Sequence, residues 1–146
     1  MYFSCSITGG RNDQNTYQHI VHHLQERGLV VLTAHLAEER FLEEGEKIDA
    51  HTTYQRDIAW LKDSAALFAE VSTPSHGVGY EIAMAEILHK PIFCCYQRGK
   101  KVSKIILGNE NPFFFIYAYS GIDDLLINLD KFLNDLVNGT KVIERI

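Results

Sequence analysis

Three groups of residues in this chain have the types and spacing that chemistry needs. The run Ser75-His76-Gly77-Val78-Gly79-Tyr80-Glu81 places two glycines, whose bare backbone admits a ligand closely, beside a hydroxyl that can donate to an anion or cap a helix. Glu81 is expected in the first turn of a helix over about 78–89, where the helix dipole and free N–H groups favour an ionised carboxylate. That suits a nucleophile; an acid that only complements the dipole is the plainer alternative. The run Ser6-Ile7-Thr8-Gly9-Gly10-Arg11 could cradle a phosphate, with the glycine N–H groups, Ser6, Thr8 and Arg11 as donors. It matches neither the G-x-G-x-x-G nor the Walker A pattern, so an ordinary Gly-Gly turn competes with that reading. Asp57 adjoins the apolar Ile58 and could face the mouth of a site, or could be a solvated helix acid beside Arg56. If Asp57 and Glu81 converge, the pair can cleave a glycosidic bond, one as nucleophile and one as acid/base, at about 5 Å separation in a retaining reaction.

Other reactive side chains point to less. His19 and His23 are spaced i, i+4, yet no H-E-x-x-H pattern or nearby acid completes a metal site, and no metal is expected. His35 is a possible wall of the site, and His76 lies inside the glycine loop. No G-x-S-x-G elbow occurs. Cys5, Cys94 and Cys95 cannot pair completely and lie in apolar stretches, which suits buried thiols in a reducing compartment. On a strand, the adjacent Cys94 and Cys95 would point to opposite faces.

The elements that must position these groups alternate regularly. Apolar runs at 2–7, 29–33, 65–71, 91–96 and 113–119 read as strands. Between them Tyr17, Ile20, Val21 and Leu24 recur at i, i+3, i+4, i+7 on a helix ended by Gly28, and Tyr54, Ile58 and Leu61 share a face over about 48–63. A short turn or helix is expected near 102–107. A closing helix keeps Ile122, Leu125, Leu126, Leu129, Phe132, Leu133 and Leu136 on one face. Strands that are apolar throughout and separated by helices imply a five-stranded, doubly wound α/β parallel sheet of Rossmann or flavodoxin-like type, with helices on both faces, spanning 1–146 as one domain. Ligands of such sheets bind beyond the carboxyl ends of the strands, at the switch point of strand order.

The chain has 146 residues, 46% of them hydrophobic, enough for one continuous core. Its 14 Lys and Arg against 19 Asp and Glu give a net charge of −5, the wrong sign for holding a nucleic-acid polymer by its phosphates. Acids crowd 38–49 and bases crowd 98–104, runs that most simply form solvated loops, the acidic one with the option of a flap. No apolar run approaches the roughly 20 residues of a membrane span, and no basic leader opens the chain. A cytoplasmic protein without a membrane partner is expected.

The start Tyr2-Phe3-Ser4-Cys5-Ser6-Ile7-Thr8-Gly9-Gly10-Arg11, the acid Asp57 and the stretch from Ala69 through Ser75 to Glu81 together resemble the 2'-deoxynucleoside 5'-phosphate N-hydrolases of the nucleoside 2-deoxyribosyltransferase superfamily. The resemblance runs from the first strand to the last helix. It implies that Glu81 attacks C1' of the sugar and forms a covalent deoxyribosyl-enzyme. Asp57 would bond the nucleophile and handle the proton of the leaving base or incoming water. Tyr2 would favour a 2'-deoxy position. Ser6, the Gly9-Gly10 backbone and Ser75 would hold the 5'-phosphate. It further implies a homodimer in which the neighbour's residue near the start of the last strand, here Asn111, completes the phosphate site. Thr8 stands where relatives carry arginine, a loss that Arg11 could offset, and the 109–115 segment also differs.

The activity expected is hydrolysis of a 2'-deoxynucleoside 5'-monophosphate, a small-molecule substrate, to free base and 2-deoxyribose 5-phosphate, with no cofactor because the carboxylates supply the chemistry. Transfer of the deoxyribosyl group to another base, hydrolysis of a ribo-CMP, and a non-enzymatic nucleotide sensor are the rivals. A receiver module is disfavoured, since 70–72 reads Glu-Val-Ser without its phosphoacceptor Asp.

Overall fold

The computed structural model describes residues 1–7, 13–38 and 47–138. Four strands, β1 (Tyr2–Ser4), β2 (Leu67–Glu70), β3 (Ile92–Gln97) and β4 (Phe114–Tyr119), pair in parallel in that order. Among the described residues five α-helices accompany them: α1 (Gln14–Glu26), α2 (Ala50–Asp63), α3 (His76–Ile87), the single-turn α4 (Lys104–Leu107) and α5 (Ile122–Asn138). Most of the expected elements appear, with trimmed ends.

The register stacks like on like. Phe3 pairs with Phe68, Phe68 with Phe93 and Phe93 with Phe115, so one face carries a phenylalanine from every strand. Ring centroids along this row lie 5.6 Å (Phe3–Phe68) and 5.2 Å (Phe68–Phe93) apart, and Phe132 of α5 closes over Phe93 and Phe115. The α1 stripe Tyr17, Ile20, Val21 and Leu24 packs on this face together with Leu125, Leu129 and Leu133. The other face, carrying Tyr2, Leu67, Ala69, Ile92, Cys94 and Phe114, lies under Leu61 of α2 and Val78, Ile82 and Ala85 of α3. Helices therefore cover both faces. Cys95 belongs to the first core and Cys94 to the second, as alternation requires; both are buried free thiols, and so is Cys5.

The expected fifth strand, at 29–33, does not form. The segment does lie along the outer edge of β1, where the Met1 ammonium donates to the Val30 carbonyl (2.8 Å) and the Leu32 N–H to the Met1 carbonyl (3.2 Å). At the next step the buried Thr33 side chain replaces the ladder: its Oγ1 accepts from the Phe3 N–H (2.9 Å) and donates to the Phe3 carbonyl (2.7 Å). A hydroxyl that satisfies both backbone groups of Phe3 leaves none for a partner strand, and the chain turns into a 3₁₀ helix at Ala34–Ala37. The four-stranded sheet thus corrects the five-stranded expectation.

Local chemistry sets the helix ends. Gly28, at φ 75°, follows α1 in the left-handed conformation; its N–H donates to the Gln25 carbonyl and that of Leu29 to the Leu24 carbonyl, the paired bonds of a Schellman stop. Asp49 caps α2 by accepting from the His51 and Thr52 N–H groups at 3.0 and 3.1 Å. Ser75 caps α3 by accepting from the Val78 N–H at 3.4 Å. From β1 the chain moves outward to the 29–33 edge, then returns to form β2 on the other side. The switch point therefore lies between the carboxyl ends of β1 and β2.

Candidate functional site

At that switch point Glu81 of α3 reaches down to β1. The Tyr2 hydroxyl donates to its Oε1 at 2.5 Å, and the Ser4 hydroxyl donates to its Oε2. Alternation along β1 sends residues 2 and 4 to one face, and helix α3 lies over that face, so two donors 77 and 79 residues away in sequence meet one carboxylate. Tyr2 is fully buried.

Glu81 does not sit in the first helical turn as expected. The helix begins at His76, two residues early, because Ser75 is the capping residue; Glu81 falls in the second turn, and no acid occupies the first. Nor is its pKa lowered, as a helix N-terminus would lower it. Burial pushes its pKa above the ordinary glutamate value; the bonds from Ser4 and Tyr2 pull it down, and the negative charge of Asp57 pushes it up again. Desolvation and a second carboxylate outweigh the two donors. The same surroundings raise the Tyr2 phenol, chiefly by burial and then by the Glu81 charge.

Asp57 lies near enough for its charge to act on both Glu81 and Tyr2, so the structure brings the two acids to one site. It is not a freely solvated acid. Arg56 Nε donates to Asp57 Oδ1 at 2.9 Å, Arg56 Nη2 lies 2.8 Å from the same oxygen, and both side chains are largely covered. The guanidinium carbon stands 4.7 Å from the centre of the Trp60 ring, against which His35 packs edge-on at 5.6 Å. His35 is half-buried, and its described ring contact is with Trp60.

The remaining expected residues divide. Ser6 is buried, and its hydroxyl has no hydrogen-bond partner among the described residues. Ile7 is 39% exposed. Gly77 and Gly79 expose the first turn of α3, where a side chain would meet Ser75 Oγ at 3.8 Å and open space, respectively. Thr8, Gly9, Gly10 and Arg11 lie outside the described residues, as do 39–46 of the acidic run. Asn111 stands at the amino end of β4, opposite to the carboxyl ends where Glu81 is held. Its amide donates to Glu86 Oε1 at 3.1 Å and its carbonyl accepts from the Phe113 N–H, so within one chain it is a loop strut rather than a site residue.

Two groups were absent from the expected set. Ser4 shares its face with Tyr2, and the alternation of 2, 4 and 6 was the signal that could have found it. Glu70, at the carboxyl end of β2, is fully buried on the phenylalanine side; its Oε1 accepts from the Ser72 N–H (3.2 Å), the Ser72 hydroxyl and the Tyr119 hydroxyl (3.1 Å). Burial raises its pKa despite those bonds, with Asp13 adding to the rise. Among the described residues, no group of three or more His, Cys, Asp and Glu could hold a metal ion. No helix there is long and apolar enough to cross a membrane.

Comparison with known proteins bears on the family and the fold. The nucleoside 2-deoxyribosyltransferase family model matches residues 1–135. A Nematostella vectensis protein provisionally named a 2'-deoxynucleoside 5'-phosphate N-hydrolase is 44% identical over 135 residues, 88% of this chain and 91% of its own length. The 5-hydroxymethyl-dUMP N-hydrolase of Danio rerio is 40% identical over 123 residues, 82% of this chain and 85% of its own. Among solved structures, the CMP N-glycosidase of Clostridium botulinum superposes with a TM-score of 0.66 at 16% identity, covering 90% of this chain and 99% of that one, a likeness of fold.

Proposed function

The chain belongs to the nucleoside 2-deoxyribosyltransferase family, and from that premise we propose that it hydrolyses the N-glycosidic bond of 2'-deoxynucleoside 5'-monophosphates to free base and 2-deoxyribose 5-phosphate. The observation that carries the reading is the carboxylate of Glu81, held by Tyr2 and Ser4 at the switch point with Asp57 beside it. In the first step Glu81 attacks C1', the C1'–N bond breaks, and Asp57 passes a proton to the departing base. In the second, Asp57 takes a proton from water, whose oxygen attacks C1' and releases Glu81. Tyr2, bonded to Glu81 through its hydroxyl, would stand beside the sugar and favour a 2'-deoxy position.

The 5'-phosphate would take up the unmatched Ser6 hydroxyl, together with Ser75, the open backbone at Gly77 and Gly79, and donors from residues 8–11. One phosphate needs only a few such donors, so the net charge of −5 is no obstacle. The molecule would act as a homodimer. Helix α3 buries Val78, Ile82 and Ala85 inward yet leaves Tyr80 48% and Ile87 67% exposed on its outer side, an apolar stripe that a second copy would cover. Asn111 could serve a phosphate only in a neighbour.

Incubation with dNMPs, the matching nucleosides and NMPs, with and without a second base, tests the assignment. Release of base from dNMPs is expected, and Glu81→Gln should lower turnover by about 10³-fold or more while the protein stays folded. Cleavage of nucleosides alone with base exchange would make the protein a transferase, cleavage of CMP alone a ribonucleotide hydrolase, and nucleotide binding without turnover a sensor.

A further inference from the structure

Among the described residues, Arg56 is a cation drawn to the two-carboxylate site and stacked on an aromatic platform. Neighbours in a helix diverge by about 100°, so Arg56 does not face Asp57 by virtue of adjacency. Trp60, four residues on, does share its side of α2; the guanidinium lies over the indole at 4.7 Å and from there turns Nε and Nη2 onto a single oxygen of Asp57. His35 backs the indole edge-on, which fixes the platform in turn. The groups gathered around Asp57 come from three elements: Tyr2 of β1, Arg56 of α2 and Glu81 of α3. The Tyr2 phenol feels Asp57 and Arg56 with opposite sign, which places the guanidinium within electrostatic reach of the site and not merely on its outer rim.

We propose that Arg56 is a positioning residue for the hydrolytic reaction: anchored on Trp60, it holds Asp57 by Oδ1 and so sets the second carboxylate beside Glu81. This rests on the hydrolase reading above. The guanidinium does two things there. It leaves Asp57 Oδ2 as the oxygen not claimed by a protein donor among the described residues, and it offsets part of the negative charge that Asp57 brings to Glu81. A lysine in its place would carry the charge without the planar fork or the flat stacking surface.

The test compares Arg56→Met, Arg56→Lys and Trp60→Leu. Arg56→Met keeps the stem against Trp60 and loses the fork and charge. The expected result is a kcat lower by about 10²-fold, the cost of a misplaced acid/base, with KM changed less than about threefold. Added methylguanidinium should recover part of the loss. Trp60→Leu, which keeps the Arg56 and Asp57 side chains but removes the platform, should lower kcat in the same direction. A 13C-carboxyl titration of the unliganded proteins reads the placement without turnover: the Glu81 midpoint should rise in Arg56→Met and stay near wild type in Arg56→Lys. Wild-type kcat in Arg56→Met, a rise in KM alone, or an unmoved Glu81 midpoint would each overturn the proposal. If the wild-type protein cleaves no nucleotide, the hydrolase reading fails by itself, and the carboxyl titration still decides whether Arg56 governs the pair.

Discussion

Replacing Tyr2 by Phe deletes one oxygen from a fully buried ring and leaves its packing against Leu67 and α3 intact. What is lost is the 2.5 Å bond from the phenol to Glu81 Oε1. Hydrogen bonds to a charged group contribute about 1.5–3 kcal/mol, and about 1.4 kcal/mol corresponds to one pKa unit. The Tyr2 bond lowers the Glu81 pKa against the opposing pull of burial and Asp57, so its removal should raise that pKa by about 1–2 units. The acid limb of the kcat/KM profile for dNMP hydrolysis should move up by the same amount, costing up to about tenfold in rate per unit at pH values below it. Stability should follow the same sign. The folded pKa of Glu81 already lies above its unfolded value, so its contribution is fully present below the unfolded pKa and lost as pH rises through the folded pKa; the variant extends that loss to higher pH. A pH–rate series on wild type and Tyr2→Phe, paired with the 13C titration of Glu81, measures both. An acid limb and a carboxyl midpoint that stay where they were would refute the reasoning, because either the bond or its effect on the charge would then be absent.

Two further outcomes concern the scaffold. Thr33→Val keeps the shape of a buried side chain but strands the Phe3 N–H and C=O it serves; urea denaturation at unchanged m should show a loss of about 2–4 kcal/mol, and a loss below about 0.5 kcal/mol would mean that water or backbone replaces the hydroxyl. Glu70→Gln retains an acceptor for Ser72 and Tyr119 and removes a group whose folded pKa is raised. Wild type should therefore lose stability as pH climbs from the unfolded value towards the folded one, by about 1.4 kcal/mol for each unit of rise, and the variant should lose less over the same range; parallel stability–pH curves would contradict a raised Glu70 pKa.

Much of the architecture was legible because it is periodic. The stripe at Tyr17, Ile20, Val21 and Leu24 named the buried side of α1 before any contact was seen, and Gly28 announced its stop. The opposed placement of Cys94 and Cys95 followed from strand alternation alone. The strand expected at 29–33 failed for a reason that no period records: its apolar residues do line the edge of β1, but one hydroxyl, on Thr33, takes the backbone bonds that would have made it a strand. The start of α3 was missed by two residues because His76 and Gly77 are weak helix formers and Ser75 outweighs them as a cap.

For the site, residue types alone determined that Glu81 and Asp57 were the acids worth pairing, that a hydroxyl- and glycine-rich turn followed the first strand, and that net charge spoke against a nucleic-acid polymer. Tertiary structure decided everything that depends on convergence. Tyr2 and Ser4 meet Glu81 only because β1 and α3 lie face to face, and Arg56 bonds Asp57 while stacked on Trp60. The direction in which the Glu81 pKa is displaced reversed between the two views for the same reason. A helix dipole is local and can be read from position in the chain, whereas desolvation and the charge of a second carboxylate exist only once distant segments have closed over the group.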